Sequence, residues 1–294
     1  MNLRDLRYLL ALAEHGHFGL AAEACGISQP TLSVQLRKLE DELGLALFER
    51  GNKAVIPTEA CARLLGHARG AVAEADAILT LARSLRAPLA GRLRLGVIPT
   101  LAPYLLPLIF APLREALPAL DIEPWEDQTS ALLERLQRHE LDAALLATGL
   151  GGAEWQSLAL FEEPFLAALP PDHPLAAREV VSQAELARDI LVLADGHCLR
   201  EQALEACGHR GALGGTLRAA SLPTLLNMVA AGYGTTLVPA LAAGAAQDAG
   251  IVLRPLAEQA GRTIRIAWRA RFPRHAAVEA VAGVIAGRLR GFAA

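Results

Sequence analysis

The sequence predicts a multi-domain α/β protein: an N-terminal, all-α winged helix-turn-helix, a long linker helix, and then a two-lobed α/β domain. Three observations predict it. Apolar residues at helical spacing over residues 3–43 are interrupted by residues suited to a helix-turn-helix. A seam of small and apolar side chains follows at spacings of four and three. From Leu93 onward, short apolar strands alternate with helical segments.

Taken in order, Leu3, Leu6, Leu9, Leu10 and Ala13 share one face of a first helix. A short second helix runs from Phe18 toward Gly26, a residue that accepts the left-handed backbone of a helix end. Ser28 is an N-cap and Pro30 fits the first turn of the helix that follows. Ala22, Ile27, Leu32, Val34, Leu36 and Leu39 supply a small core, which leaves Thr31, Ser33, Gln35, Arg37 and Lys38 outward. The second helix of such a motif enters the DNA major groove, so Gln29, Pro30, Thr31, Ser33 and Arg37 are candidate contacts to bases or phosphates. Residues 46–58 form a hairpin with Gly51-Asn52 at its tip, a wing whose Arg50 and Lys53 would meet the DNA backbone. Alone, Arg37-Lys38 would be a solvated helix face; the surrounding motif favours contact for Arg37.

Thr58 caps a long helix. Its residues Leu64, Ala68, Ala71, Ala75, Ile78, Ala82 and Leu85 make a heptad seam, read as a dimer coiled coil over an amphipathic helix packed on its own chain. Pro88 and Gly91 mark a hinge. Beyond it come a strand at Leu93–Ile98, a helix within Leu101–Leu117, a strand at Asp121–Trp125, a helix at Ser130–Arg138 and a strand at Leu141–Ala147. That alternation argues βαβ units and a parallel sheet. It continues to Ile266, and a last helix covers Ala276–Leu289. The resulting division is 1–58 helix-turn-helix, 59–87 linker, 88–91 hinge and 92–294 α/β domain, with lobe I at about 92–161 and 268–294 and lobe II at about 162–267.

Composition bounds the function. Charged residues make up 20% and hydrophobic residues 53%, an ordinary globular balance, and the net charge is −3. Residues 1–90 hold 10 basic and 10 acidic side chains, leaving 18 and 21 beyond, so any DNA-binding surface is local. Charges at Arg4, Asp5, Arg7 and Glu14 interrupt any leader-peptide core. The uncharged stretch Ala219–Gln247 contains Pro223, Gly232, Gly234 and Pro239, which divide it into helix, turn, strand and helix and argue against a membrane span. Four cysteines in 294 residues are no secreted disulfide scaffold, which points to the cytoplasm.

Two of those cysteines carry chemistry by their spacing. Cys198 and Cys207 lie nine positions apart, joined by helix formers. Nine helical steps put them on opposite faces, roughly 13 Å apart along the axis. A disulfide needs Cα atoms within about 7 Å. If the segment is helical when reduced, the pair closes only after the helix unwinds, which is the covalent layout of a switch. Cys25 and Cys61 read as inert core. A zinc set of His197, Cys198, Cys207 and His209 is disfavoured because adjacent residues rarely ligate one ion.

Residues Phe18, Ala21-Ala22, Ser28-Gln29-Pro30-Thr31-Leu32-Ser33, Leu39-Glu40, Leu43-Gly44 and Leu47-Phe48-Glu49-Arg50 resemble the winged helix-turn-helix of LysR-type transcriptional regulators. Val229-Ala230-Ala231-Gly232-Tyr233-Gly234 and Leu237-Val238-Pro239 do likewise. Within the family, Ile98-Pro99-Thr100, Pro103-Tyr104-Leu105-Leu106-Pro107 and Asp195-Gly196-His197-Cys198-Leu199-Arg200 resemble its hydrogen-peroxide-sensing members over nearly the whole chain. Glu201 departs from the usual Asp there.

The resemblance implies a periplasmic-binding-protein-like regulatory domain, with Cys198 as the peroxide-attacking thiol and Cys207 as the resolving one. It makes the hydroxyls of Thr100 and Thr129 candidates for holding peroxide, with His197, Arg200 and Arg262 beside them; Arg265 is a neighbouring alternative. A sensor thiol reacts as thiolate, so a lowered pKa is expected at Cys198, from the helix N-terminus and from His197 and Arg200. Implied partners are promoter DNA, hydrogen peroxide, further copies of the chain as dimer and tetramer, and RNA polymerase, with no cofactor, metal or membrane. Two other readings compete: the same architecture sensing a metabolite in the cleft, and a thiol enzyme of the peroxidase kind.

Overall fold

A computed structural model describes residues 1–50, 55–84, 87–187, 189–208 and 218–290. The chain divides into two compact units, Met1–Arg86 and Ala87–Ala294.

The first unit starts with α1 (Leu3–His15), capped by a reciprocal Asn2–Asp5 box and ended by Gly16 at φ 59°. Then come α2 (Phe18–Ala24) and α3 (Gln29–Leu43). The Ser28 hydroxyl accepts the Thr31 N–H, and Pro30 occupies the first turn of α3, as predicted. Leu32, Leu36 and Leu39 are buried together with Tyr8, Leu9 and Leu12. Val34 was expected in this core but is exposed. Two helical steps from Leu32 rotate it about 200°, onto the opposite face.

Strands β1 (Phe48–Arg50) and β2 (Val55–Pro57) pair antiparallel, forming the expected hairpin. Its tip, including Lys53, lies outside the described residues, and so does the Arg50 side chain. The carboxylate of Glu40 on α3 accepts N–H groups of Leu47 and Phe48, tying the helix to the wing. The Thr58 hydroxyl accepts the Cys61 N–H at 3.1 Å and so caps α4 (Glu59–Ser84).

The second unit opens with β3 (Gly91–Val97), α5 (Ala102–Ala116), β4 (Leu120–Glu126), α6 (Thr129–Gln137) and β5 (Ala143–Leu146). Here β3 pairs parallel with both β4 and β5, the predicted βαβ arrangement. The long β6 (Trp155–Leu169) follows, then a 3-10 turn at Pro174–Ala177, α7 (Gln183–Leu186), β7 (Val192–Leu193), α8 (Cys198–Ala206), β8 (Arg218–Ala219), α9 (Leu222–Ala230) and β9 (Thr236–Pro239). After a 3-10 turn at Ala240–Ala242 come α10 (Ala243–Asp248), β10 (Val252–Pro255), β11 (Gly261–Arg269) and α11 (His275–Arg288).

One sheet takes the order β10-β6-β11-β5-β3-β4, with β9 also on β6. It is mixed and not wholly parallel. Strands β9, β10 and β11 all run antiparallel to β6, and β11 runs antiparallel to β5. Within this sheet the parallel expectation holds only for β3 with β4 and β5, joined by helical crossovers; the separate pair β7-β8 is parallel as well.

Two apolar cores flank this ribbon. One gathers β3, α5, α6, β5 and α11; the other gathers α8, α9, β9 and the end of β6. Ile264, Ile266 and Ala267 of β11 belong to the first core, although the sequence boundary had put them in lobe II. Strand β6 contributes Phe161 to the first core and Phe165 to the second, so it runs through both lobes. Residues 222–248 form helix, turn, strand and helix. No described helix is long and apolar enough to cross a membrane.

Candidate functional site: the pocket at the start of α8

The segment between β7 and α8 is built around one buried arginine. Arg200 donates to the Leu193 carbonyl at 3.1 Å and pairs with Asp195 at 3.0 Å. The second Asp195 oxygen takes Arg218 at 2.6 Å. Arg200 therefore staples the helix start back onto β7 and is not a donor to the thiol, contrary to expectation. The reason is helical phase: Arg200 lies two steps, about 200°, from Cys198.

Gly196, at φ 92°, makes the turn into the helix, and a Cβ there would stand 2.3 Å from Gln128 Oε1. The backbone conformation there calls for glycine, whereas the tip of Gln128 could swing aside. His197 is the N-cap residue and is buried.

Helix α8 then begins at Cys198 and ends before Cys207, so the two thiols occupy opposite ends of one helix, as the spacing required. Both are free. Cys198 packs against the first core and Cys207 is buried in the second. Gln202, which the sequence reading missed, donates from Nε2 to the Ala147 carbonyl at 2.8 Å and ties α8 to the first lobe. Its own Oε1 is buried without a partner.

Cys198 lines a pocket with Ile98, Pro99, Thr100, Gln128, Thr129, Gly196 and His197. Its empty volume is about 170 Å³, partly open to solvent. The room left for the centre of a water-sized guest is only about 10 Å³, so the pocket suits a guest of a few atoms.

Thr100 is buried, and its hydroxyl accepts Arg262 Nη1 at 2.8 Å while its carbonyl accepts Nη2 at 3.1 Å. Arg262 Nε in turn donates to Glu163 at 2.8 Å, in an ion pair with both side chains 0% exposed. Arg265 is half-buried on β11 and takes no part in these contacts. Thr129 opens α6, and its buried hydroxyl lacks a well-formed hydrogen bond. It nevertheless lies near enough to Cys198 to favour the thiolate.

Burial pushes the Cys198 thiol above its ordinary pKa. The Arg262 charge, the Thr129 hydroxyl and the Leu199 N–H oppose that push, while Glu201, one helical turn away, adds to it. The expected lowering is thus present as individual contributions, but desolvation outweighs them in the reduced, unliganded pocket. Burial alone, with no opposing donor, pushes Cys207 up to about 11.

The sequence missed Glu163 and Gln128 as well. Glu163 left a signal: in Phe161-Glu162-Glu163-Pro164-Phe165 it shares the strand face of two buried phenylalanines. A buried carboxylate at such a position needs a cation.

In the first unit, Gln29, Pro30, Thr31 and Arg37 are exposed along α3 and Ser33 is half-buried. On α4, Leu64 and Ala68 pack into the core of their own unit. Ala71 and Ala82 are exposed, Ala75 is half-buried and Ile78 is 69% exposed. Leu85 lies outside the described residues, as does His209.

Residues 3–62 match the bacterial regulatory helix-turn-helix of the lysR family, and residues 86–290 match the LysR substrate binding domain. The chain is 44% identical to the DNA-binding transcriptional dual regulator OxyR of Escherichia coli, covering 99% of this chain and 97% of that protein. A full-length OxyR cysteine variant from Pseudomonas aeruginosa superposes with a TM-score of 0.80 at 38% identity, covering 97% of this chain and 94% of that one. An H2O2-bound cysteine variant of Corynebacterium glutamicum OxyR gives a TM-score of 0.68 at 34% identity, covering 98% and 92%.

Proposed function

This chain belongs to the LysR family of bacterial transcriptional regulators, and from that premise we propose that it is a hydrogen-peroxide sensor working through Cys198 and Cys207. It is a DNA-binding regulator whose redox state sets its output. The observation that carries this reading is the placement of two free thiols at opposite ends of α8, with the first in a pocket that leaves only about 10 Å³ for the centre of a water-sized guest. So little room favours peroxide over a metabolite.

The Cys198 thiolate attacks one peroxide oxygen. The O–O bond breaks, hydroxide leaves with its electron pair and takes up a proton as water, and Cys198 becomes a sulfenic acid. The Cys207 thiolate then attacks that sulfur and expels a second hydroxide, leaving a disulfide. Peroxide is reduced to two waters and two thiols are oxidised. Thr100, Thr129 and His197 hold peroxide, and Arg262 supports the thiolate. Arg200 serves by shaping the turn.

The second step needs α8 undone. Unwinding forfeits the burial of Leu199 and Leu204, about 1.5–3 kcal/mol each. Closing the ten-residue loop costs about 2.7 kcal/mol more. At about 1.4 kcal/mol per 30 mV, a potential difference of roughly 120–190 mV covers both. The reduced form therefore stays helical until oxidised, and the refolded segment resets contacts in the regulatory domain.

Gln29, Pro30, Thr31, Ser33 and Arg37 read the major groove of promoter DNA, with Arg50 and Lys53 on its backbone. The exposed Ala71, Ile78 and Ala82 of α4 carry the dimer contact of the predicted seam, and dimers pair into tetramers that engage RNA polymerase in the cytoplasm. Each chain is oxidised once per signal, without peroxidase turnover.

One equivalent of peroxide followed by mass-spectrometric disulfide mapping tests the reading. A Cys198–Cys207 bridge is expected, and none in Cys198→Ser. Absence of the bridge from the unsubstituted protein removes it.

A further inference from the structure

Glu163 belongs to the hydrogen-bonded network behind Thr100 and, like Arg262, does not line the pocket. It stands directly opposite Arg262 in the β6–β11 ladder. One of its carboxylate oxygens accepts Arg262 Nε at 2.8 Å, and the other accepts the Leu241 N–H at 2.9 Å. The carboxylate is therefore held at both oxygens. Arg262 commits three of its five N–H groups, one to Glu163 and two to Thr100. Because the Thr100 hydroxyl oxygen accepts from Arg262, its proton is left to donate to a guest.

Resting on the peroxide-sensing reading above, we propose that Glu163 is a positioning residue for that chemistry. Clamped by Leu241, it aims the Arg262 guanidinium so that one face orients Thr100 and the charge falls on the Cys198 thiolate. A rival role for the same carboxylate is plain neutralisation of Arg262. The two roles differ in sign. Losing an aiming group moves the cation off the thiolate and raises the Cys198 pKa. Losing a neutralising group exposes the thiolate to a fuller positive charge and lowers it.

The test reads the pH profile of Cys198 alkylation by iodoacetamide in the reduced full-length protein, peptide by peptide in a mass spectrometer. No other cysteine needs substitution. In Glu163→Gln the Cys198 profile should move to higher pH, and sulfenic acid formation at neutral pH should slow about tenfold per unit of that shift. Glu163→Asp keeps the charge but is one methylene too short to reach both partners, and should give a smaller shift in the same direction. A shift to lower pH, or an unmoved profile, overturns the proposal. If Glu163→Gln does not fold, an unmoved Glu163→Asp profile overturns it alone. A failure of the peroxide reading looks different: the unsubstituted protein would then form no sulfenic acid at Cys198, whatever the alkylation profiles of the Glu163 variants.

Discussion

The two ends of α8 carry the same side chain in opposite circumstances. Cys198 is half-buried at the helix start, and its burial is answered by Arg262, the Thr129 hydroxyl and the Leu199 N–H. Cys207, 6% exposed at the helix end, has only burial around it and a pKa pushed up to about 11. Neither the residue type nor the helix makes the difference. The first end borrows its chemistry from the first lobe, through Thr100 and Thr129, and from Arg262 of β11, while the second end is ordinary core. Cys207 is thus held back twice in the reduced state, by distance and by protonation. Leaving the core relieves both.

The largest effect that could break this comparison is a swap of roles. With Cys207→Ser, Cys198 should still reach sulfenic acid and stop there, trapped by a dimedone-type probe. With Cys198→Ser, Cys207 should take no probe at equimolar peroxide. Equal labelling of the two thiols would abolish the asymmetry.

Next in size is the alkylation contrast. Both pKa values are raised in the folded protein, so each reduced thiol stabilises the fold below its unfolded pKa, and that contribution fades as pH rises through the folded value. Alkylation of Cys207 should therefore stay slow until pH approaches 11, and α8 should loosen over the interval from about 9 to 11. Peptide-resolved alkylation from pH 6 to 11 checks it. Cys198 should react ahead of Cys207 throughout, and coincident profiles would remove the contrast.

The smallest effect sharpens the comparison by separating the two chemical steps. Gln202→Ala deletes the bond to Ala147 that holds α8 on the first lobe. One such bond is worth about 0.5–1.5 kcal/mol, or roughly two- to tenfold in rate. Quenched-flow should show disulfide closure accelerated and sulfenic acid formation unchanged. Acceleration of both steps would mean that Gln202 acts on the pocket and not on unwinding.

What was legible in the sequence followed local rules. The helix that opens at Cys198 and ends before Cys207, the Ser28 and Thr58 caps and the pairing of β1 with β2 depend on neighbours within a few positions. The misreadings have equally physical causes. Arg200 was taken as a donor because it is near Cys198 in the chain, yet helical phase turns it away. Val34 failed for the same reason. Arg262 was preferred to Arg265 only through resemblance, because its contact with Thr100 spans 162 positions of the chain. Glu163 could have been found from its phase between Phe161 and Phe165, but its partner could not. The Leu64 and Ala68 part of the seam looked unpartnered only because α1 was not known to lie against α4.

The length of α8 has a consequence for how the segment tolerates change. The reduced form measures these ten residues as an angle, since Leu199, Ala203 and Leu204 must all point into one core. The bridged form measures them only as a tether. One inserted residue would turn everything after it by about 100° in the first state, yet lengthen the second by no more than about 3.6 Å. Insertions and deletions here therefore act on one side of the balance alone, and shift the set point of the response without touching a reacting atom.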